Sequence, residues 1–271
     1  MRAEERARIE ERRRRLVGDV LATGAPNETI EATFRTRFGR FFEHAQFWDA
    51  FENACIAVKN RQPWHMMRQL MISFSLPQEV NAKDDWGETM LTLATTFGRA
   101  EVVNVLCQVK AKPNIENAKG CSSVHIAAAY SHVSVLEVFA TLGVSLDEPG
   151  SRLGYTPLHL AASVDNVEVL QFLHDSKKVD FMKLASNGYS VMHVAAENGS
   201  TRCVRFLTQH YPDLQHVYDR VLHENPAHKA AKSLQPHVYR HLALAGSRTD
   251  LENIEGDSAF DMSSYNERYN Y

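Results

Sequence analysis

"GYTPLHLAA", residues 154–162, places a proline two positions before His159 and follows the histidine with a short apolar run. A histidine so framed could serve chemistry or could hold a turn, and recurrence decides between the two. The stretch does recur: "GCSSVHIAA" begins at Gly120 and "GYSVMHVAA" at Gly188, so the histidines fall at 125, 159 and 193, a period of 34. The pattern continues both ways in weaker form. "GETMLTLAT" from Gly87 has Thr92 in the histidine slot, "ENPAHKAAK" has His228, and "GDSAFDMSS" has Asp261. "FENACIAVKN" is a candidate diverged first copy with Cys55 in the slot.

Self-similarity at this period marks stacked helix-pair repeats. Between slots, "EVVNVLCQV", "SVLEVFATL", "VEVLQFLHD" and "CVRFLTQHY" carry apolar residues at three- and four-residue spacing, which predicts a second helix in each repeat. Glycine, proline or asparagine then punctuates the turn before the next slot.

These residues resemble the ankyrin repeat, whose pattern stands nearly unchanged at "VNAKDDWGET" (80–89) and at "GYTPLHLAA". The resemblance covers roughly residues 50 to 265. It implies an all-α ankyrin-repeat solenoid of about six helix-turn-helix repeats with short β-hairpin tips. It departs from the family in the first copy, in the fifth, where NPAH replaces TPLH, and at the end. There the chain leaves little room for a final second helix, and an apolar surface near Val238, Leu242 and Leu244 is expected to be partly uncovered and open to a partner. In the family the slot histidine and threonine make hydrogen bonds that fix the turn and tie neighbouring repeats. Proline in the first helical turn suits that role, because its missing N–H would have no partner there. Successive slots lie roughly 10 Å apart at helix-packing distance, too far to share a metal ion at about 2 Å per ligand. His159 is expected to be structural.

The 271 residues carry 30 basic and 33 acidic side chains, a net charge of −3, so the whole chain has no global attraction to nucleic acid or acidic lipid. No apolar run reaches the roughly 20 residues that span a bilayer, and the N-terminus has neither the apolar core of a secretory signal nor the acid-poor composition of a transit peptide. The four cysteines (55, 107, 121, 203) are far apart and read as reduced thiols of an intracellular protein.

The N-terminal region differs. Residues 2–15 hold seven arginines and four glutamates, several at i,i+4 spacing, expected as a solvated helix or a disordered arm. Phe34, Phe38, Phe41 or Phe42, then Phe47, Trp48 and Phe51, suggest further helices that cap the open end of the repeats, or an arginine–aromatic groove with Arg35, Arg37 and Arg40. The expected organisation is thus an arm over 1–16, a helical extension over 17–50, repeats over 51–265 and a tail over 266–271.

A search for chemistry yields little. "HVYRH" sets His237 and His241 on one helical face, half of a metal site without the glutamate of H-E-x-x-H. Six histidines between His210 and His241 suggest sensitivity to mild acid at this end. No G-x-S-x-G, P-loop or G-x-G-x-x-G is present, and the pairs Asp84–Asp85 and Glu10–Glu11 fall on expected tips or exposed helix. Neither an enzyme nor a cofactor nor a metal is expected.

In a repeat stack the hairpin tips and exposed turns are the parts free to vary. The residues flanking each tip glycine are therefore the candidate partner contacts: Trp86 and Glu88, Lys119 and Cys121, Leu153 and Tyr155, Asn187 and Tyr189. Trp86, Tyr155 and Tyr189 form the leading stripe, since Trp and Tyr dominate interface energies; the plainer reading folds them back on neighbouring tips. Arg12, Arg13, Arg14 and Arg15 are a possible secondary contact, for protein or nucleic acid. Taken together these residues predict a non-catalytic protein-binding scaffold, a structural or adaptor subunit of a larger intracellular assembly, with a cytoplasmic, cytoskeletal, flagellar or ciliary location. The alternatives are a nucleic-acid-linked or signalling regulator using the Arg-rich N-terminus and a non-catalytic regulatory subunit of an enzyme complex.

Overall fold

A computed structural model describes residues 79–84, 87–150 and 152–269, with side chains to Ser264. Trp86, Arg12 to Arg15, the first repeat copy at Cys55 and the N-terminal aromatics lie outside the described residues. So do the expected arm and extension.

The described residues form two compact units that divide between Ser145 and Leu146. The first contains α1 (Met90–Thr96), α2 (Ala100–Gln108), α3 (Ser123–Ala129) and α4 (Val133–Thr141). The second contains α5 (Pro157–Ser163), α6 (Val167–Ser176), α7 (Val191–Asn198), α8 (Thr201–His210), α9 (Pro226–Lys232), α10 (Pro236–Leu244) and α11 (Ala259–Tyr269). That is five helix pairs and one terminal helix among the described residues, with no strand among them. The expected hairpins are tight turns, and one isolated bridge pairs Glu252 with Ser258.

Each helix is shorter than the roughly 12–15 residues that hold together alone in water. Packing therefore supplies the stability. The first helices α1, α3 and α5 are buried on every side, as the apolar and alanine-rich slot sequences require: all seven residues of each are buried. The second helices bury one stripe only, such as Val135, Leu136 and Phe139 on α4 or Val169, Leu170 and Leu173 on α6. In the first unit α1 packs on α2 and α3, and α2 on α4. In the second, α5, α7, α9 and α11 stack in succession, with α6, α8 and α10 stacked behind them.

The end of the chain corrects one expectation. Val238 and Leu242 are 1% and 0% exposed, because their i,i+4 stripe is the face of α10 that packs against α8 and α9. Only Leu244, off that stripe, is open at 80%. α11 stands alone on α9 as the last repeat's first helix, and it runs across the boundary expected at residue 265.

Candidate functional site

The tips rest on the slots, so the slots come first. In each repeat a short polar side chain caps the first helix and pairs with the slot residue three positions on, as in Thr89–Thr92, Ser122–His125, Thr156–His159, Ser190–His193, Asn225–His228 and Ser258–Asp261. The imidazole Nδ1 accepts from the cap residue's backbone N–H at 3.2–3.3 Å in all four histidine repeats. Where the cap is serine or threonine its hydroxyl donates to the same Nδ1 at 2.8 Å, which fixes the proton on Nε2; at His228 the Nδ1 faces the Asn225 Oδ1 at 2.8 Å instead. In the second unit this Nε2–H donates across to the next tip: His159 to the Tyr189 carbonyl (3.2 Å), His193 to that of Glu224 (3.0 Å) and His228 to that of Leu251 (2.9 Å). His125, His159 and His193 are therefore neutral fasteners of the turns. Burial pushes His193 down to about 4 despite its bond to the Glu224 carbonyl, and burial likewise lowers His228.

Backbone bonds between tips complete the row. Ser186 N–H donates to Leu153 O (3.1 Å), Arg220 N–H to Asn187 O (3.1 Å) and Ile254 N–H to Leu222 O (3.0 Å). Gly188 has a φ of +83°, and a Cβ there would meet the Arg220 nitrogen at 2.7 Å, so both the turn and the close approach demand glycine.

On this frame Tyr155 stacks on His159 and Tyr189 on His193, both with ring centroids 5.5 Å apart. Lys229 Nζ lies 4.7 Å from the centre of the Tyr189 ring. Both tyrosines are half-buried, so each packs on its own repeat's slot and still presents part of its surface. Leu153 is exposed, Asn187 uses its Oδ1 to accept from Tyr189 N–H, and Lys119 points into solvent beside Cys121. Glu88 accepts from Asn117 Nδ2 at 2.8 Å, within the first unit. The structure thus places Leu153, Tyr155, Asn187 and Tyr189 on consecutive tips of one unit, and Glu88 and Lys119 on tips of the other.

A buried charge cluster in the fifth repeat was missed by sequence reasoning. Lys229 is 5% exposed and bonds to Asp219 Oδ2 (2.7 Å) and to Glu224 Oε2. Glu224 Oε1 also accepts from Lys232 (3.2 Å) and Asn253 (3.0 Å). Asp219 Oδ1 receives the N–H groups of Val221, Leu222 and His223 at 2.9, 2.8 and 3.1 Å, which shapes the tip. Burial alone would raise both carboxyls, but the bonds from Lys229 hold Asp219 and Glu224 below the usual range. The same bonds lift Lys229 above its ordinary value against burial. The signal was available: lysine follows the slot histidine where Ile126, Leu160 and Val194 stand in other repeats.

The remaining candidates are structural. His241 Nε2 bonds the Thr208 hydroxyl at 3.0 Å while His237 is exposed, and no group of three metal-ligating side chains occurs among the described residues. Burial pushes the Cys107 thiol up to about 12 and raises Cys203 as well, so neither is a thiolate nucleophile. No described helix is long and apolar enough to cross a membrane.

The family of ankyrin repeats (3 copies) matches residues 54–149 and 143–218, more than half of the chain. The chain belongs to the ankyrin-repeat family, whose repeats mediate protein–protein interaction. It is 28% identical to the mouse nuclear factor NF-kappa-B p105 subunit over 132 residues, 48% of this chain and 14% of that protein. Mouse NF-kappa-B inhibitor delta is 26% identical over 208 residues, covering 66% of this chain and 63% of the relative. Mouse ankyrin repeat domain-containing protein 63 is 39% identical over 103 residues, 36% of this chain and 26% of the relative. The chain spans less than two thirds of the length of each.

Proposed function

We propose that the chain is a non-catalytic scaffold or adaptor that holds a partner protein across its repeat tips, as a structural subunit of a larger intracellular assembly. The contact set is Trp86, Glu88, Lys119, Leu153, Tyr155, Asn187 and Tyr189. One observation carries the reading: Tyr155 and Tyr189 are fixed by stacking on neutral slot histidines yet stay half-exposed on consecutive, backbone-linked tips. Rigid aromatics of this kind lose little entropy on binding. The test is a pull-down from native extract with the wild type and a Trp86→Ala/Tyr155→Ala/Tyr189→Ala variant of matched circular dichroism. Partners lost with the fold intact support the tips as the site. Unchanged partners move the contact to Arg12–Arg15 or elsewhere.

A second reading, a signalling regulator that uses the Arg-rich N-terminus, is favoured by the likeness to mouse NF-kappa-B inhibitor delta. It differs in the contact, which is Arg12, Arg13, Arg14 and Arg15 in place of the tips.

A further inference from the structure

The second unit's tips carry apolar side chains that their own repeats do not cover. Leu153, Val221 and Ile254 are 54%, 60% and 70% exposed, each near the apex of its tip. The corresponding tip of the first unit shows Ala118 and Lys119 instead. The three are not loosely held. The backbone bonds from Ser186 to Leu153, Arg220 to Asn187 and Ile254 to Leu222 link four successive tips, and Val221 sits where three N–H groups converge on the buried Asp219 carboxylate.

Charge along the row is uneven. Arg152 and Arg220 are exposed beside Leu153 and Val221 and have no carboxylate partner among the described residues, whereas Arg202 and Arg248 are ion-paired. Glu252 and Glu255 flank Ile254 at the other end. Apolar knobs fixed on a hydrogen-bonded backbone, two of the three with a guanidinium beside them that no carboxylate among the described residues binds, match a segment that brings apolar side chains and carboxylates together.

We propose that Leu153, Val221 and Ile254 form the seat for an acidic, amphipathic segment of a partner protein, its apolar side chains on these three residues and its carboxylates on Arg152 and Arg220. This rests on the protein-binding reading above and names the partner's chemistry.

The test selects a displayed library of random 16-residue peptides against the full chain; at ~3.3 Å per extended residue this more than covers the three steps of roughly 10 Å from Leu153 to Ile254. The Arg152→Glu/Arg220→Glu and Val221→Ser/Ile254→Ser variants, checked by circular dichroism, serve as comparison targets; all four positions are exposed, so the fold is expected to persist. The expected result is enrichment of net-negative peptides with at least two apolar residues. Their affinity should fall at least tenfold in each variant, and in the wild type it should weaken as salt is raised. Enrichment of neutral or basic peptides, binding to either variant as tight as to the wild type, or no enrichment overturns the proposal. Peptides that ignore both variants but are lost on Tyr155→Ala/Tyr189→Ala overturn the acidic seat and leave the wider protein-binding reading standing. A chain that enriches no peptide and also captures nothing from native extract loses both.

Discussion

The two units use the same repeat but meet different demands. In the described part of the first, the slots are Thr89–Thr92 and Ser122–His125, the buried interior is almost wholly apolar with short hydroxyl side chains, and His132 ties α4 to the preceding repeat through the Thr96 carbonyl at 3.0 Å. In the second, three slot histidines fasten successive tips, and a lysine with two carboxylates replaces an aliphatic contact at the fifth repeat. The difference teaches where a repeat can be altered. The helix cap and small-residue packing recur in each repeat, while a polar core is tolerated only where every member has a partner. The reward is a tip one residue longer than the "DDWGE" or "ASNGY" tips, with Val221 held outward.

Removing the cation should break this contrast most severely. Lys229→Met leaves Asp219 and Glu224 buried without it, and a loss of about 3–5 kcal/mol in urea unfolding is expected. Adding Asp219→Asn and Glu224→Gln should recover part of that. A loss below about 1 kcal/mol for the single change would show that the cluster is not holding the repeat.

Acid should separate the α7 repeat from the α1 repeat next. His193 is neutral in the fold at any pH above about 4, whereas the unfolded chain takes up its proton near 6.5. Its contribution is fully present above pH 6.5 and is lost as pH falls from there to about 4, on the order of 3 kcal/mol. Thr92, in the same slot of the α1 repeat, has nothing to titrate. Amide exchange at pH 7 and pH 5 should therefore show protection falling more in α7 than in α1. Equal losses would contradict the assignment.

Two glycines sharpen the comparison at the level of the turns. Gly143, in the first unit, has a φ of +74° and nothing within 4 Å of the place a methyl group would take, so Gly143→Ala should cost about 1–2 kcal/mol for backbone alone. Gly188→Ala adds the 2.7 Å encounter with the Arg220 nitrogen and must push the next tip away, so its thermal midpoint should fall further. A reversed order would mean that the inter-tip bonds are dispensable. The smallest effect belongs to the exposed Arg202–Glu168 pair at 2.6 Å, where Arg202→Ala should leave the midpoint within measurement error.

Much of this was legible in the residues. The period of the histidines gave the repeat and its helix phasing, and the short cap three positions before each slot gave the capping geometry, down to Asn225 and Asp261 in degenerate copies. The seat of Lys229 was legible only in part. Its position against Leu160 and Val194 says that a charge enters the core, but its partners Asp219 and Glu224 lie on the preceding tip, and only the fold brings the tip back over α9. The tip tyrosines were foreseen as surface aromatics, yet a ring stacks on a histidine or faces solvent according to side-chain rotamer, which periodicity does not encode. Val238 and Leu242 were misjudged for a related reason: burial depends on which neighbour arrives, and α8 and α9 cover the stripe without help from a further repeat.

The sequence by itself determined that this chain is a stack of short helix pairs with interchangeable slots, because local capping and a 34-residue period need only neighbours along the chain. Only the tertiary structure decided which tips join by backbone bonds, which charges face each other in the interior, and which apolar side chains stay outside. Those outcomes depend on contacts between residues roughly one repeat apart, where distance and direction in space, not order in the chain, set the energy.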